Sequence, residues 1–307
     1  GDLPHVLDPR RGFVASANNE MVPLGFSPSL SRDYLSPYRI HEIVTRLSYA
    51  GRESPQAIGA IQADSFDYPG FVLARAAAPI LSGSSNQGDR ALGAMLAAWN
   101  GDASVDAQAP TFMSVFEAAL ERRILGPLVG NEMITRYDKE HHFVTPIVRV
   151  LAGDRSLEPL RITRDRVLAS ILPAAHVAEA ELGYPAKPLA AWGEHNAAIY
   201  DHPLGVGWPL SLMNAPRIAQ PGDPFAPFQS KPDFGPSMRL VADLKDWDDS
   251  SMLLTLGESG IWTDAHYDDQ ERDWAAVAWA PTPFSDAAVQ RDAQHTLRLE
   301  PATGGTR

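Results

Sequence analysis

A chain of 307 residues, 44% hydrophobic and 21% charged, can bury a substantial core in one large domain or two smaller ones and is not a disordered tail. Its formal net charge of -12 argues against general nucleic-acid binding, which needs clustered Lys and Arg. The lack of cysteine excludes disulfides, thiolate nucleophiles and thiolate metal ligands, and no apolar run reaches the length of a membrane span.

The chain divides by pattern into residues 1–38, 39–185 and 186–307. Residue 1 is glycine and no signal peptide is visible, so the chain is expected to be processed or to belong to something longer. Gly12 to Asn19 reads as a strand that delivers two adjacent amides, Asn18 and Asn19, to its end. A fixed Asn side chain can donate N–H to a developing oxyanion, worth about 2.7–4 kcal/mol when preorganised. Val22 to Pro37, with its prolines and serines, suits a surface loop folded over a site. Arg39 then opens a helix, where its charge opposes the helix dipole and asks for another purpose.

The middle region reads as mostly helical. Ser54-Pro55 is a cap followed by proline at the first helical position. Leu92, Met95, Leu96 and Trp99 follow helical spacing up to a stop at Gly101. Phe112, Val115, Phe116, Ala119 and Leu120 repeat that stripe, with an end expected near Gly126. Asp165 is read as the cap of a further helix that Pro173 should kink or end. The last region returns to strands and loops: Met238 to Asp243, Ser251 to Leu256 and Thr296 to Leu299 are the strand candidates. A helical block between two β regions predicts an α+β architecture.

Several segments taken in order resemble the penicillin acylase family of N-terminal-nucleophile (Ntn) amidohydrolases. They are Asn18-Asn19, Tyr38-Arg39-Ile40, Ile61-Gln62-Ala63-Asp64, Trp99-Asn100-Gly101, and Trp192-Gly193-Glu194-His195 with His202-Pro203-Leu204. The most specific is the ending Gly257-Glu258-Ser259-Gly260, Ala265-His266-Tyr267-Asp268-Asp269-Gln270 and Trp274. Asn100, Glu258 and Ala265 depart from the family pattern.

The resemblance implies an αββα four-layer sandwich of which this chain is the later part. It implies an amidohydrolase, of penicillin, acyl-homoserine-lactone or lipopeptide type, that is autoprocessed and periplasmic or secreted. The nucleophile is then an N-terminal Ser, with Thr or Cys as alternatives, on another chain of the same precursor, because Gly1 has no side chain. On this chain the resemblance assigns catalytic roles to Asn18 as oxyanion donor and Arg39 as the group that orients it. Leu24, Phe26 and Tyr34 are candidates to line an acyl pocket for a small N-acyl substrate, or to pack as a lid on the core. No nucleic acid or membrane partner is expected.

No metal ligand set or cofactor is assigned. Some relatives bind calcium beside the loop that precedes Arg39, but after Glu20 that loop holds only Asp33 as an acid. Glu140-His141-His142 lacks the spacing of a helical zinc pair, and His195, His202 and His266 read as structural. Asp243, Asp246, Asp248 and Asp249 read as a solvated turn, since they lack an EF-hand pattern. Neither Gly257-Glu258-Ser259-Gly260 nor Gly83-Ser84-Ser85-Asn86 makes a serine nucleophile site. The alternative to an enzyme is a non-catalytic binding or structural protein that keeps the fold; Gly1 is its main support.

Overall fold

The structure is a computed structural model that describes residues 3–23, 25–31, 33–49, 54–137 and 143–301. Helices come first: α1 (Tyr38–Tyr49), α2 (Pro55–Gln62), α3 (Tyr68–Ser82), α4 (Gln87–Ala98), α5 (Ala109–Val129), α6 (Asn131–Tyr137), α7 (Val144–Leu151), α8 (Arg164–Leu182) and the short α9 (Trp192–His195). Strands β1 (Met238–Val241) and β2 (Ser251–Leu254) follow, then α10 (Glu271–Ala276), β3 (Ala280–Pro281) and α11 (Asp286–Asp292).

Local chemistry sets most helix starts. Ser54 accepts from the Ala57 amide ahead of Pro55, Asp67 from Gly70 ahead of Pro69, and Asn86 from Gly88. The Gly83-Ser84-Ser85-Asn86 segment is thus the connection between α3 and α4. Thr163, rather than Asp165, caps α8 by accepting from Arg166; Asp165 lies in the first turn, where its charge suits the dipole. Pro173 does not end α8. The loss of one backbone bond is offset by burial of Val167, Ile171, Ala174, Ala175 and Ala178. α5 likewise passes the stop expected near Gly126 and ends at Val129, where Gly130 takes a φ of 87°.

The main core lies among α3, α4, α5, α7 and α8. Leu73, Leu92, Phe112, Phe116, Leu120, Ile124 and Ile171 are fully buried in it, with Phe112 and Phe116 stacked at 5.6 Å. α3 and α4 pack so closely that a Cβ on Gly93 would lie 2.5 Å from Ser82 Oγ and 3.0 Å from the Ala78 carbonyl.

The sheet is antiparallel in the order β1-β2-β3, with Met238 opposite Leu254 and Met252 opposite Ala280. In β1 the buried positions are Arg239 and Val241, while Met238 and Leu240 face outward. Arg239 is accommodated inside because its guanidinium lies 4.0 Å from the Phe228 ring centroid and 5.0 Å from that of Trp274. Two strand expectations fail. Thr296 to Leu299 is exposed and irregular, because the place beside β2 is held by Ala280–Pro281. Gly12 to Asn19 joins no ladder among the described residues and ends with Asn18 in the left-handed region at φ 59°.

Candidate functional site

Asn18 and Arg39 meet. Arg39 sits in the first turn of α1 and is 9% exposed, and burial lowers its pKa. Its Nη2 donates to the Asn18 side-chain Oδ1 at 2.8 Å and to the Ala17 carbonyl at 2.9 Å. The cation therefore spends its donors on the segment before the loop, which is what an arginine placed against the helix dipole can do. Asn tolerates the left-handed backbone that Asn18 adopts. The turn is closed by the Ala17 amide donating to Asn19 Oδ1 at 3.0 Å, and the loop returns through Leu35 N–H donating to the Asn18 carbonyl at 2.9 Å.

The chemical consequence lies in the amide's orientation. With Oδ1 held by a cation, the Asn18 Nδ2 points away from Arg39, and the residue is exposed. A fixed amide that presents N–H outward is a hydrogen-bond donor of set direction. Asn19 is different: its Oδ1 and Nδ2 bond the Ala17 amide and the Glu20 carbonyl, so it shapes the turn.

Phe26 and Tyr34 are half-buried and line a hollow of about 140 Å³ formed within the loop itself, with Val22, Pro23 and Leu30. Leu24 lies outside the described residues, as do Glu140, His141 and His142. Glu20 and Asp33 join no group of three or more His and carboxylate ligands among the described residues.

A larger cavity, about 340 Å³, lies behind α1 between α5 and the segment after α9. Tyr38, next to Arg39, packs edge-on against Phe225 of its wall at 5.7 Å. The cavity is lined by Asp67, Asp223, Glu117, Glu121, His195 and Lys231. Asp67 and Asp223 are buried and hydrogen-bond each other. Burial, with the neighbouring Asp223 charge, raises Asp67 well above the ordinary carboxylate range; burial raises Asp223 to about 6. The pair accordingly shares a proton at neutral pH. His195 stacks on Trp192 at 5.6 Å, and burial pushes its pKa down.

The model of the family described as penicillin amidase matches residues 1–291. The chain belongs to the penicillin amidase family. It is 26% identical to penicillin acylase 2 proenzyme from a Pseudomonas species, over 98% of this chain and 40% of that protein. It is 25% identical to the acyl-homoserine lactone acylase QuiP of Pseudomonas putida, over 88% of this chain and 37% of that protein. The chain thus spans about two fifths of these curated relatives. It superposes on a thermostable penicillin G acylase from Alcaligenes faecalis with a TM-score of 0.59 and 16% identity, covering 97% of this chain and 58% of that one. The α+β Ntn-hydrolase fold expected from the sequence is therefore the fold of this family member.

Several other motif residues make hydrogen bonds within the fold. Trp192 Nε1 donates to the Gly222 carbonyl at 2.7 Å, Trp99 Nε1 to that of Asp102 at 2.8 Å, and Trp274 Nε1 to that of Pro236 at 3.0 Å. His202 Nδ1 accepts from the Leu204 amide, and His266 pairs with Asp269 at 2.7 Å. The acidic turn is structural as well: Asp248 accepts from the Phe284 and Ser285 amides and the Ser285 hydroxyl, securing the start of α11. Sequence reasoning missed the Asp67–Asp223 pair. Asp67-Tyr68-Pro69 carries a helix-start signature, but nothing local connects it to Asp223. No helix among the described residues is long and apolar enough to cross a membrane.

Proposed function

We propose that this chain is part of an autoprocessed amidohydrolase that cleaves small N-acyl amides by acyl transfer, with its nucleophile on a partner chain. In this reading an N-terminal Ser hydroxyl of the partner chain, activated by its own α-amine, attacks the amide carbonyl. Asn18 Nδ2 and a backbone N–H of the partner chain receive the oxyanion, the amine departs, and water releases the acid. Arg39 is a positioning residue: it holds Asn18 Oδ1 and so aims Nδ2. The loop bearing Leu24, Phe26 and Tyr34 borders the acyl group, aromatic as in penicillin acylases or aliphatic as in acyl-homoserine-lactone or lipopeptide acylases. The assembly is a heteromer in the periplasm or outside the cell, and no step is routed through a metal.

The observation that supports this reading most is the pair of bonds from Arg39 Nη2 to Asn18 Oδ1 and the Ala17 carbonyl, in a chain matched by the family over residues 1–291. The test is to purify the intact protein, sequence the N-termini of every chain present, and assay penicillin G and a long-chain N-acyl-homoserine lactone. A partner chain that begins with Ser, Thr or Cys, together with turnover of one substrate, is expected. A single species without such a terminus, inert to both, refutes the reading in favour of a scaffold that keeps the fold.

A further inference from the structure

At the far side of the helical core, the start of α4 meets the middle of α8 at three side chains that the proposed chemistry leaves unused. Asp89, in the first turn of α4, is 1% exposed. His176 of α8 places Nε2 3.2 Å from both Asp89 carboxylate oxygens. Glu179 follows at i+3, on the same helix face. One ligand atom from each of the three lies within 4.8 Å of the others.

Two further observations separate this cluster from an ordinary ion pair. Glu179 is 8% exposed, and no N–H or O–H group reaches its buried Oε1; its one side-chain hydrogen bond is carboxyl to carboxyl with Asp89, a contact that needs a shared proton or a cation. Two buried carboxyl groups in contact are costly unless a cation or proton joins them. Ser84, in the α3–α4 connection, donates its hydroxyl to Asp89 Oδ2, which fixes the carboxylate in the way that outer-shell groups fix metal ligands.

The donor set and its spacing narrow the cation. Ligands about 2.0–2.2 Å from a tetrahedral ion sit roughly 3.3–3.6 Å apart; His176 and Asp89 already stand 3.2 Å apart, and Glu179, within 4.8 Å of them, would close in on binding. One imidazole and two carboxylates suit a divalent transition ion, whereas calcium takes about 6–8 oxygens. The half-exposed His176 side chain leaves a route in from solvent and room for water in a fourth position.

We propose that Asp89, His176 and Glu179 form a binding site for a divalent transition metal ion of the zinc class, which pins the start of α4 to α8. The site is structural and does not depend on the acylase reading.

The test is zinc binding to the intact, chelator-treated protein, followed by calorimetry and by thermal unfolding. Saturable binding and a rise in Tm are expected, with the high-affinity phase weakened at least about 100-fold in His176→Ala and in Glu179→Gln, and about 10- to 100-fold in Ser84→Ala. Parental affinity in both His176→Ala and Glu179→Gln overturns the proposal, as does the absence of saturable binding in the parent. Independently of any variant, anomalous diffraction at the zinc edge from zinc-soaked parental crystals should place the ion among these three residues. Zinc found only elsewhere overturns it.

Discussion

Replacing Arg39 separates charge from geometry at the candidate site. Both of its bonds come from one nitrogen, at 2.8 Å to Asn18 Oδ1 and 2.9 Å to the Ala17 carbonyl. Asn18 is exposed, so water can take over at Oδ1 after Arg39→Ala, but Ala17 is 7% exposed and its carbonyl loses a charged donor. That loss costs about 1–3 kcal/mol of local stability. The kinetic loss has another origin: the freed Asn18 amide spends only part of its time with Nδ2 in the productive direction. A tenfold fall in kcat/KM corresponds to about 1.4 kcal/mol, and complete loss of the donor to about 2.7–4 kcal/mol. The expected fall for Arg39→Ala lies between these values.

Arg39→Lys keeps the charge on a stem one bond shorter, with no rigid planar head and a more strongly hydrated tip. The two short contacts leave no slack for that stem, so at least about a tenfold loss is expected here too. Steady-state kinetics on the assembled enzyme with an N-acyl substrate would decide the matter, with circular dichroism to verify folding. Near-parental kcat/KM in Arg39→Ala would remove Arg39 from the site. Near-parental values in Arg39→Lys alone would leave charge as the only requirement and refute the orientation argument.

Asn18→Ala should lower kcat about 100- to 1000-fold while the folded assembly persists; an unchanged kcat would strip Asn18 of its role. The Asp67–Asp223 pair should make stability fall as pH rises. Both groups bind protons more tightly when folded, so from about pH 4 upward the unfolded chain loses protons that the fold retains, through about 6 for Asp223 and beyond for Asp67. Asp67→Asn keeps a capping side chain and removes one titration, so urea midpoints of the variant should gain on the parent between pH 4 and pH 7; parallel pH profiles would contradict a shared proton. Phe116→Ala, at a fully buried position stacked on Phe112, should destabilise the fold by about 3–5 kcal/mol in chemical denaturation, and a loss below about 1 kcal/mol would mean that this stack is not central to the core.

The helical core was readable in advance because its signals are local. The Ser54-Pro55 start and the stripes of α4 and α5 depend on neighbours a turn away, and those neighbours face one core. The prolines misled for the opposite reason. Pro173 carries a local penalty of about 3 kcal/mol, but whether a helix survives it depends on buried contacts from other elements. Arg239 could not be placed inside from alternation alone, since it needs the rings of Phe228 and Trp274 brought from elsewhere in the chain. Thr296 to Leu299 had strand composition but pairs with no strand among the described residues. At the site, the approach of Arg39 to Asn18 was expected from family resemblance, whereas the left-handed turn that aims Asn18 was not. Asp67 with Asp223, and Asp89 with His176 and Glu179, join residues from distant parts of the chain, and only the folded chain assembles them.

The inverted alternation of β1 has a consequence for handling the protein. With Arg239 turned inward, Met238 and Leu240 stand 49% and 46% exposed on a strand at the edge of the sheet formed by the described residues, where Gln62 Nε2 already occupies the Leu240 carbonyl. Apolar side chains on a short edge strand that α2 covers only in part, without lysine or proline on the strand, are a template for sticking. Colloidal losses during expression should therefore grow with concentration and concentrate on this edge. A lysine at Leu240, whose side chain already faces water, is the place to reduce them without touching the buried arginine beneath.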